Sequence, residues 1–240
     1  MFKYLTALAI LLNIGLLAPA KADDLLATID RLRVTDGQMR VMTQIDLYEH
    51  GELSRSSLYE VYADDARRSL ALFRSDAEAG QKVLMLDDQF YLFLPNSRRQ
   101  IRITPMQKLL GDASTGDISS LRWSEDYRID EQHTQEDGTL QLKLSAARRG
   151  LSYGSVELVV DADTAVPISA TFYLPSGRVA KNATFEMGVD KSTGDVRLLT
   201  MILEDRIQTA QRTEVHYLSV EPWNIPEPWF NPAFLLRNNL

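Results

Sequence analysis

Cysteine is absent from the 240 residues, histidine occurs three times and glycine twelve times. Without cysteine there is no disulfide framework and no thiol nucleophile, so stability must come from a packed core. The three histidines, His50, His133 and His216, have no partner at metal-ligand spacing, which gives no support for a zinc or other metal centre. The glycines form no phosphate-cradling loop, and no G-x-S-x-G elbow is present. Asp23-Asp24, Asp64-Asp65 and Asp87-Asp88 read as caps and turn residues rather than paired catalytic carboxylates. The chain is therefore expected to be no enzyme and to carry no cofactor. Long apolar runs are also scarce. Leu5–Leu17 is one, and it falls short of the roughly 20 residues that span a bilayer.

That run follows Lys3 and precedes Ala20-Lys21-Ala22, the pattern of a cleavable secretory leader. Residues 1–22 are expected to be removed and 23–240 to form one domain in a periplasm. The missing cysteine sets aside the lipidated N-terminus of a lipoprotein. Loss of Lys3 and Lys21 leaves 24 basic against 33 acidic residues, a net charge of −9. That sign argues against nucleic acid and against an anionic membrane surface in general.

Hydrophobic residues make up 45% of the chain and charged residues 25%, so a folded core is expected. Asp23-Asp24 followed by Leu25, Leu26, Ile29 and Leu32 predicts a capped amphipathic helix. After Asp36-Gly37 the period becomes two. Met39, Val41, Ile45 and Leu47 form one inward row, and Leu140, Leu142, Leu144 and Ala146 another. Val166, Ile168, Ala170, Phe172 and Leu174 make a third, and Val179, Ala183, Phe185, Met187 and Val189 a fourth. Turn signals recur about every ten residues with no βαβ rhythm. The expectation is a mainly β (α+β) fold. It is a single strongly curved antiparallel sheet, a half-open barrel of about eleven strands, with short helices plugging the mouth. One interruption spans residues 104–135, where Pro105–Leu110 and Asp117–Trp123 are expected to make helical turns.

Leu84–Ile103 reads LMLDDQFYLFLPNSRRQIRI, a hairpin apolar on both faces that ends in three arginines. Its inner face should meet the cavity, and either the N-terminal helix or the proline- and aromatic-rich tail (Pro222–Phe234) should cover its outer face. Arg98, Arg99 and Arg102 admit three readings. They are solvated edge charges that block aggregation, or a clamp on Asp112 or Asp117 across the mouth, or a contact for an anionic headgroup or acidic partner. The candidate apolar wall is Leu84, Leu86, Tyr91, Phe93, Met106, Leu109, Leu110, Trp123, Phe172 and Phe185. A sheet this wide encloses more room than its own side chains fill, so the wall suits an apolar ligand.

The stretch FYLFLPNSRRQIRITPMQKLLGDASTGDIS resembles the bacterial outer-membrane lipoprotein-sorting protein family, which has the LolA/LolB-like fold. Tyr91, Phe93 and Pro95 match its aromatic segment, and Arg98, Arg99 and Arg102 its basic segment. Gly111-Asp112 and Asp117-Ile118 match its loop, although the serine usual between Gly and Asp is missing. The resemblance implies a curved half-barrel whose cavity takes acyl chains of lipoproteins or other lipids. It also implies a place beside an inner-membrane transporter or an outer-membrane acceptor. The expected protein is a monomeric soluble carrier. The alternative is a periplasmic sensor or accessory subunit of an envelope complex with no lipid cargo.

Overall fold

The structure is a computed structural model that describes residues 22–33, 37–110, 113–114, 117, 122–190, 194–204 and 211–240. Residues 1–21 of the proposed leader, Asp112 and residues 118–121 lie outside these. Helix α1 (Ala22–Arg31) comes first. It is followed by β1 (Met39–Glu49), β2 (Glu52–Ala63), β3 (Arg68–Phe73), β4 (Lys82–Leu86), β5 (Gln89–Phe93) and β6 (Ile101–Ile103). A separate two-stranded sheet, β7 (Lys108–Leu110) with β8 (Ala113–Ser114), comes next, and then a short helix α2 (Trp123–Asp126). The second half is β9 (Tyr127–Thr134), β10 (Thr139–Ala146), β11 (Ser155–Asp161), β12 (Pro167–Tyr173), β13 (Val179–Val189), β14 (Val196–Glu204) and β15 (Gln211–Pro222). A 3₁₀ turn (Glu227–Phe230) and α3 (Pro232–Leu235) close the chain.

Thirteen strands form one antiparallel sheet in the order β6-β5-β4-β3-β2-β1-β15-β14-β13-β12-β11-β10-β9, two more than the turn signals suggested. The meander is interrupted once, where β1 pairs with β15 and joins the two halves. Neighbouring strands rotate by roughly 20° each, so over thirteen strands the sheet curls until its two flanks approach. Bulges add to this. One lies in β15 at Leu218, opposite Met42/Thr43, one in β12 at Ile168, opposite Val159/Val160, and one in β14 at Leu199, opposite Glu186/Met187.

The bulges also explain where the alternation misleads. Val159 pairs with Ser169 and Val160 with Pro167, so Ile168 is the unpaired extra residue and is exposed rather than inward. Val189 ends β13 opposite the exposed Val196 of β14 and is itself 60% exposed. The expected helical turn at Pro105–Leu110 is instead a hydrogen-bonded turn, Gln107 N–H to Thr104 O, leading into β7.

The sheet has an apolar covering on each face. Inside, Leu142, Leu144, Val156, Leu158, Val160, Phe172, Phe185 and Leu203 are buried together with Leu26 and Ile29 of α1, Ala113 of β8 and Trp123 of α2. Outside, the tail lies over β2–β5. There Ile225, Phe230 and Leu235 pack on Tyr62, Leu70, Leu72, Leu84 and Phe93. Tail and sheet are tied by polar bonds as well. Lys82 Nζ donates to the carbonyls of Leu235 (3.0 Å) and Asn238 (2.6 Å), and Arg68 pairs with Glu227 at 2.6 Å.

Candidate functional site

The expected apolar wall divides between these two faces. Trp123, Phe172 and Phe185 are buried on the inner face, and half-buried Met106 and Leu109 pack against the same core. Leu84, Leu86, Tyr91 and Phe93 belong to the outer core beneath the tail, which corrects their assignment to a shared inner wall. Their strands present the alternate residues inward, namely Val83, Met85, Phe90 and Leu92. Both sets are equally apolar, so composition could not tell the faces apart. Leu110 lies on β7, but its side chain is outside the described residues.

Within the apolar inner face sits a buried ion pair. Lys181 and Asp117 are 2.7 Å apart, with side chains only 6% and 3% exposed. Ser114 donates to the same carboxylate oxygen from its N–H (2.7 Å) and its hydroxyl (2.7 Å), and the Tyr153 hydroxyl donates to the other at 2.9 Å. The Tyr127 hydroxyl in turn bonds the carbonyl of Tyr153 at 3.1 Å. Burial alone would raise the Asp117 carboxyl. The Lys181 charge and these donors outweigh burial and hold it below the usual carboxylate range. Burial and the neighbouring Asp117 push the Tyr153 hydroxyl well above its ordinary value. The β13 alternation places Lys181 inward with Ala183 and Phe185, directly opposite Phe172 of β12. A lysine in a strand reads first as a solvated residue, and for that reason the sequence did not single it out.

Asp117 is thus held by Lys181, and the expected arginine clamp is not what secures it. Arg98, Arg99 and Arg102 are exposed, and among the described residues no ion pair is formed by any of them. Asp30 of α1 fastens a second part of the cover. Its carboxylate accepts from the N–H groups of Trp123 (3.0 Å) and Ser124 (2.8 Å), capping α2, and it lies 3.5 Å from Arg33. The Arg33 guanidinium stacks 3.6 Å over the Trp123 ring.

The third element joins the two flanks of the sheet. Asp126, 1% exposed, receives Arg67 at 3.1 Å and Arg148 at 2.7 Å. Both arginines also pair with Asp88, and Arg67 bonds Glu125 at 3.0 Å. Arg67 and Asp88 come from the β2–β3 and β4–β5 turns, and Asp126 and Arg148 from the end of α2 and the β10–β11 loop. This clasp crosses the gap that the sheet leaves open. A cavity of about 30 Å³ sits beside it, with Met85, Phe90, Pro105 and Leu151 among its apolar lining residues. Sequence reading saw only turn residues here, because pairs 60 residues apart leave no local pattern.

No metal cluster of three or more histidine, cysteine or acidic residues occurs among the described residues. His50 is in a turn, and His133 is exposed on β9. His216 faces Thr200, Asp46 and Glu214 on the outer side of β15. Among the described residues, no helix is long and apolar enough to cross a membrane.

A curled, unclosed antiparallel sheet with short helices against its inner face defines the LolA-like fold. The chain is 24% identical to a LolA superfamily protein from Nitrosomonas europaea, with a TM-score of 0.79 over 89% of this chain and 98% of that one. It is also similar to a domain from Vibrio parahaemolyticus assigned as an outer-membrane lipoprotein-sorting protein. There the identity is 19% and the TM-score 0.71, covering 90% of this chain and 99% of that domain. A DUF1329 family protein from Desulfovibrio piger matches at 18% identity and a TM-score of 0.71, covering 89% of this chain and 97% of that one. Residues 65–237 match a family model described as "-like: Uncharacterized protein", and the chain belongs to that family. No curated protein matches the chain.

Proposed function

We propose that this protein is a periplasmic, non-enzymatic carrier that holds the acyl chains of a lipid or lipoprotein against the inner face of the sheet. Residues 1–22 act as its leader and residues 23–240 as its working domain. The observation that supports this reading is the nature of the inner cover. The apolar inner face is roofed by α1, by α2 and by a β7–β8 pair that shares no ladder with the main sheet. Such a roof can be displaced without breaking the thirteen-stranded ladder. An acyl chain would replace the contacts that Met106, Leu109 and Ala113 make with the inner core. Each buried methylene contributes about 0.8 kcal/mol, so two chains offset the loss of several protein contacts. Transfer to or from an inner-membrane transporter or an outer-membrane acceptor would be the physiological use.

One observation favours a second reading, a sensor or accessory subunit without cargo. Trp123, Leu142, Val156 and Leu158 are fully buried, and the cavity beside the clasp has room for only about one water. Native mass spectrometry on protein purified without detergent separates the two. Co-purifying lipid, displaced when Phe185 is replaced by glutamate, supports the carrier. A ligand-free protein that takes up no added phospholipid or fatty acid leaves the accessory subunit.

A further inference from the structure

A purely greasy trough would have no reason to contain a lysine. Lys181 stands in the inner row of β13 between apolar neighbours, opposite Phe172, and its ammonium is nearly out of contact with water. Burying such a charge costs several kcal/mol unless a partner meets it. Its partner here comes from outside the main sheet. Asp117 follows β8, whose Ser114 binds the same carboxylate. The wall itself supplies two donors to that carboxylate, one for each oxygen. Lys181 Nζ binds Oδ2 and the Tyr153 hydroxyl binds Oδ1. The Tyr153 ring stacks on Phe172, with centroids 4.7 Å apart, so this polar pair is bordered directly by the apolar wall.

We infer that Lys181 and Tyr153 form a carboxylate receptor at the head of the acyl-binding wall, that Asp117 occupies it in the unloaded protein, and that the ligand is a long-chain fatty acid or similar anionic amphiphile whose carboxylate takes the place of Asp117. This rests on the carrier reading and gives its ligand a head-group chemistry. A planar two-oxygen acid fits two donors that approach separate oxygens. The exchange also solves a problem that loading would otherwise create, since withdrawing Asp117 without a replacement takes the carboxylate away from a buried ammonium. An anionic head removes that cost and a neutral one does not. The receptor therefore favours acids over alcohols of equal chain length, and the internal carboxylate keeps the site closed to neutral lipids.

The test uses the full chain stripped of lipid, titrated with [1-¹³C]palmitate, hexadecanol and hexadecyl phosphate. Palmitate should bind about tenfold or more tighter than hexadecanol, the return for charge-assisted hydrogen bonds. In Lys181→Met that preference should vanish, along with the shift of the bound carboxyl ¹³C resonance. In Asp117→Asn palmitate should bind tighter than to the wild type, because the competing carboxylate is gone. Should Asp117→Asn fail to fold, Asp117→Asn/Lys181→Met removes both charges, and it should fold and bind acid and alcohol alike. Equal binding of acid and alcohol by the wild type would overturn the receptor and leave the carrier standing. Tighter binding of hexadecyl phosphate than of palmitate would overturn the carboxylate assignment. Binding of none of the three would remove the carrier reading and the receptor with it.

Discussion

The two faces of the sheet carry similar side chains and are covered in different ways. Outside, Phe93, Leu84 and Tyr62 lie under a tail continuous with β15, the central joining strand. That tail is held by direct bonds to the sheet from Lys82 and Arg68 and by aromatic contacts such as Tyr62 with Trp229, centroids 4.9 Å apart. Inside, Phe172 and Phe185 lie under elements that contribute no strand to the main sheet and meet it through side chains, among them a buried ion pair, and through two backbone bonds, Leu198 N–H to Leu32 O and Ala147 N–H to Asp126 O. The lesson is that apolar content measures how much surface must be covered, and attachment decides whether the cover can leave. A permanent face and an exchangeable face can be built from the same alphabet.

Paired truncations would put the largest strain on that contrast. Phe93→Ala and Phe172→Ala each remove a buried ring, and each should cost about 3–5 kcal/mol in urea unfolding. Their effects on lipid uptake should differ. Per folded molecule, Phe93→Ala should retain uptake and Phe172→Ala should lose it. Loss of uptake in both would mean that the outer core also serves the ligand.

The clasp comes next. Asp126→Asn removes the charge that two arginines share, and the loss should be about 2–3 kcal/mol, the scale for a buried charged partner. Arg67 and Arg148 are about a quarter exposed, so water takes up part of the deficit. If the clasp holds the flanks together, amide exchange should quicken in β5–β6 and β9 and leave the β1–β15 pair protected. Uniform protection across the sheet would show that the flanks are held by the core alone.

Acid should affect both faces through different groups. Asp117 inside is held below the ordinary carboxylate range. Outside, burial raises Glu60, but Tyr62, Arg74 and Arg40 outweigh it and keep it low. For groups lowered in the folded state, the stabilising contribution is complete above the unfolded range, about pH 4, and is lost as pH falls through the lowered folded values. The urea midpoint should therefore fall below about pH 4. The double change at Asp117 and Lys181 should flatten the inner share of that fall, and Glu60→Gln the outer share. A profile unchanged in either variant would remove that pair from the acid response.

How much of this was legible in the sequence follows from the range of each interaction. Alternation and turn residues are local, so the antiparallel meander, the leading helix and the inward rows around Leu142 and Phe172 could be read directly. A bulge shifts register by one residue without changing composition, and that is why Ile168 was misplaced, whereas Val189 is exposed because it ends its strand. The face of the hairpin at Leu84–Phe93 depends on where a tail 130 residues later comes to rest, which no local pattern records. The clasp has the same long range. Lys181 was legible in principle, since a charge at an inward position of a clean alternation is a local anomaly. Cap chemistry is local too. Asn231 Oδ1 accepts the Ala233 N–H at 2.9 Å to start α3. Asn231→Ala should cost about 1 kcal/mol, seen as a small fall in melting temperature that adds to that of Phe93→Ala only if tail and outer core are separate.

The smallest effect on stability belongs to Arg98, Arg99 and Arg102. Exposed side chains without an ion pair contribute little, so replacing all three by serine should move the unfolding free energy by no more than about 0.5 kcal/mol. Their importance lies at the edge they occupy. Strand β6 pairs with β5 on one side and, among the described residues, has no strand on its other side, and Ile101 is 45% exposed beside the charges. An open edge with an exposed aliphatic side chain invites pairing with another molecule, and clustered like charge opposes it. At equal stability, the triple serine variant should scatter more light on standing at high concentration, and added salt, which screens charge, should bring the wild type toward it. If scattering does not change but transfer of lipid to anionic vesicles slows, the arginines serve a partner and the edge needs no guard.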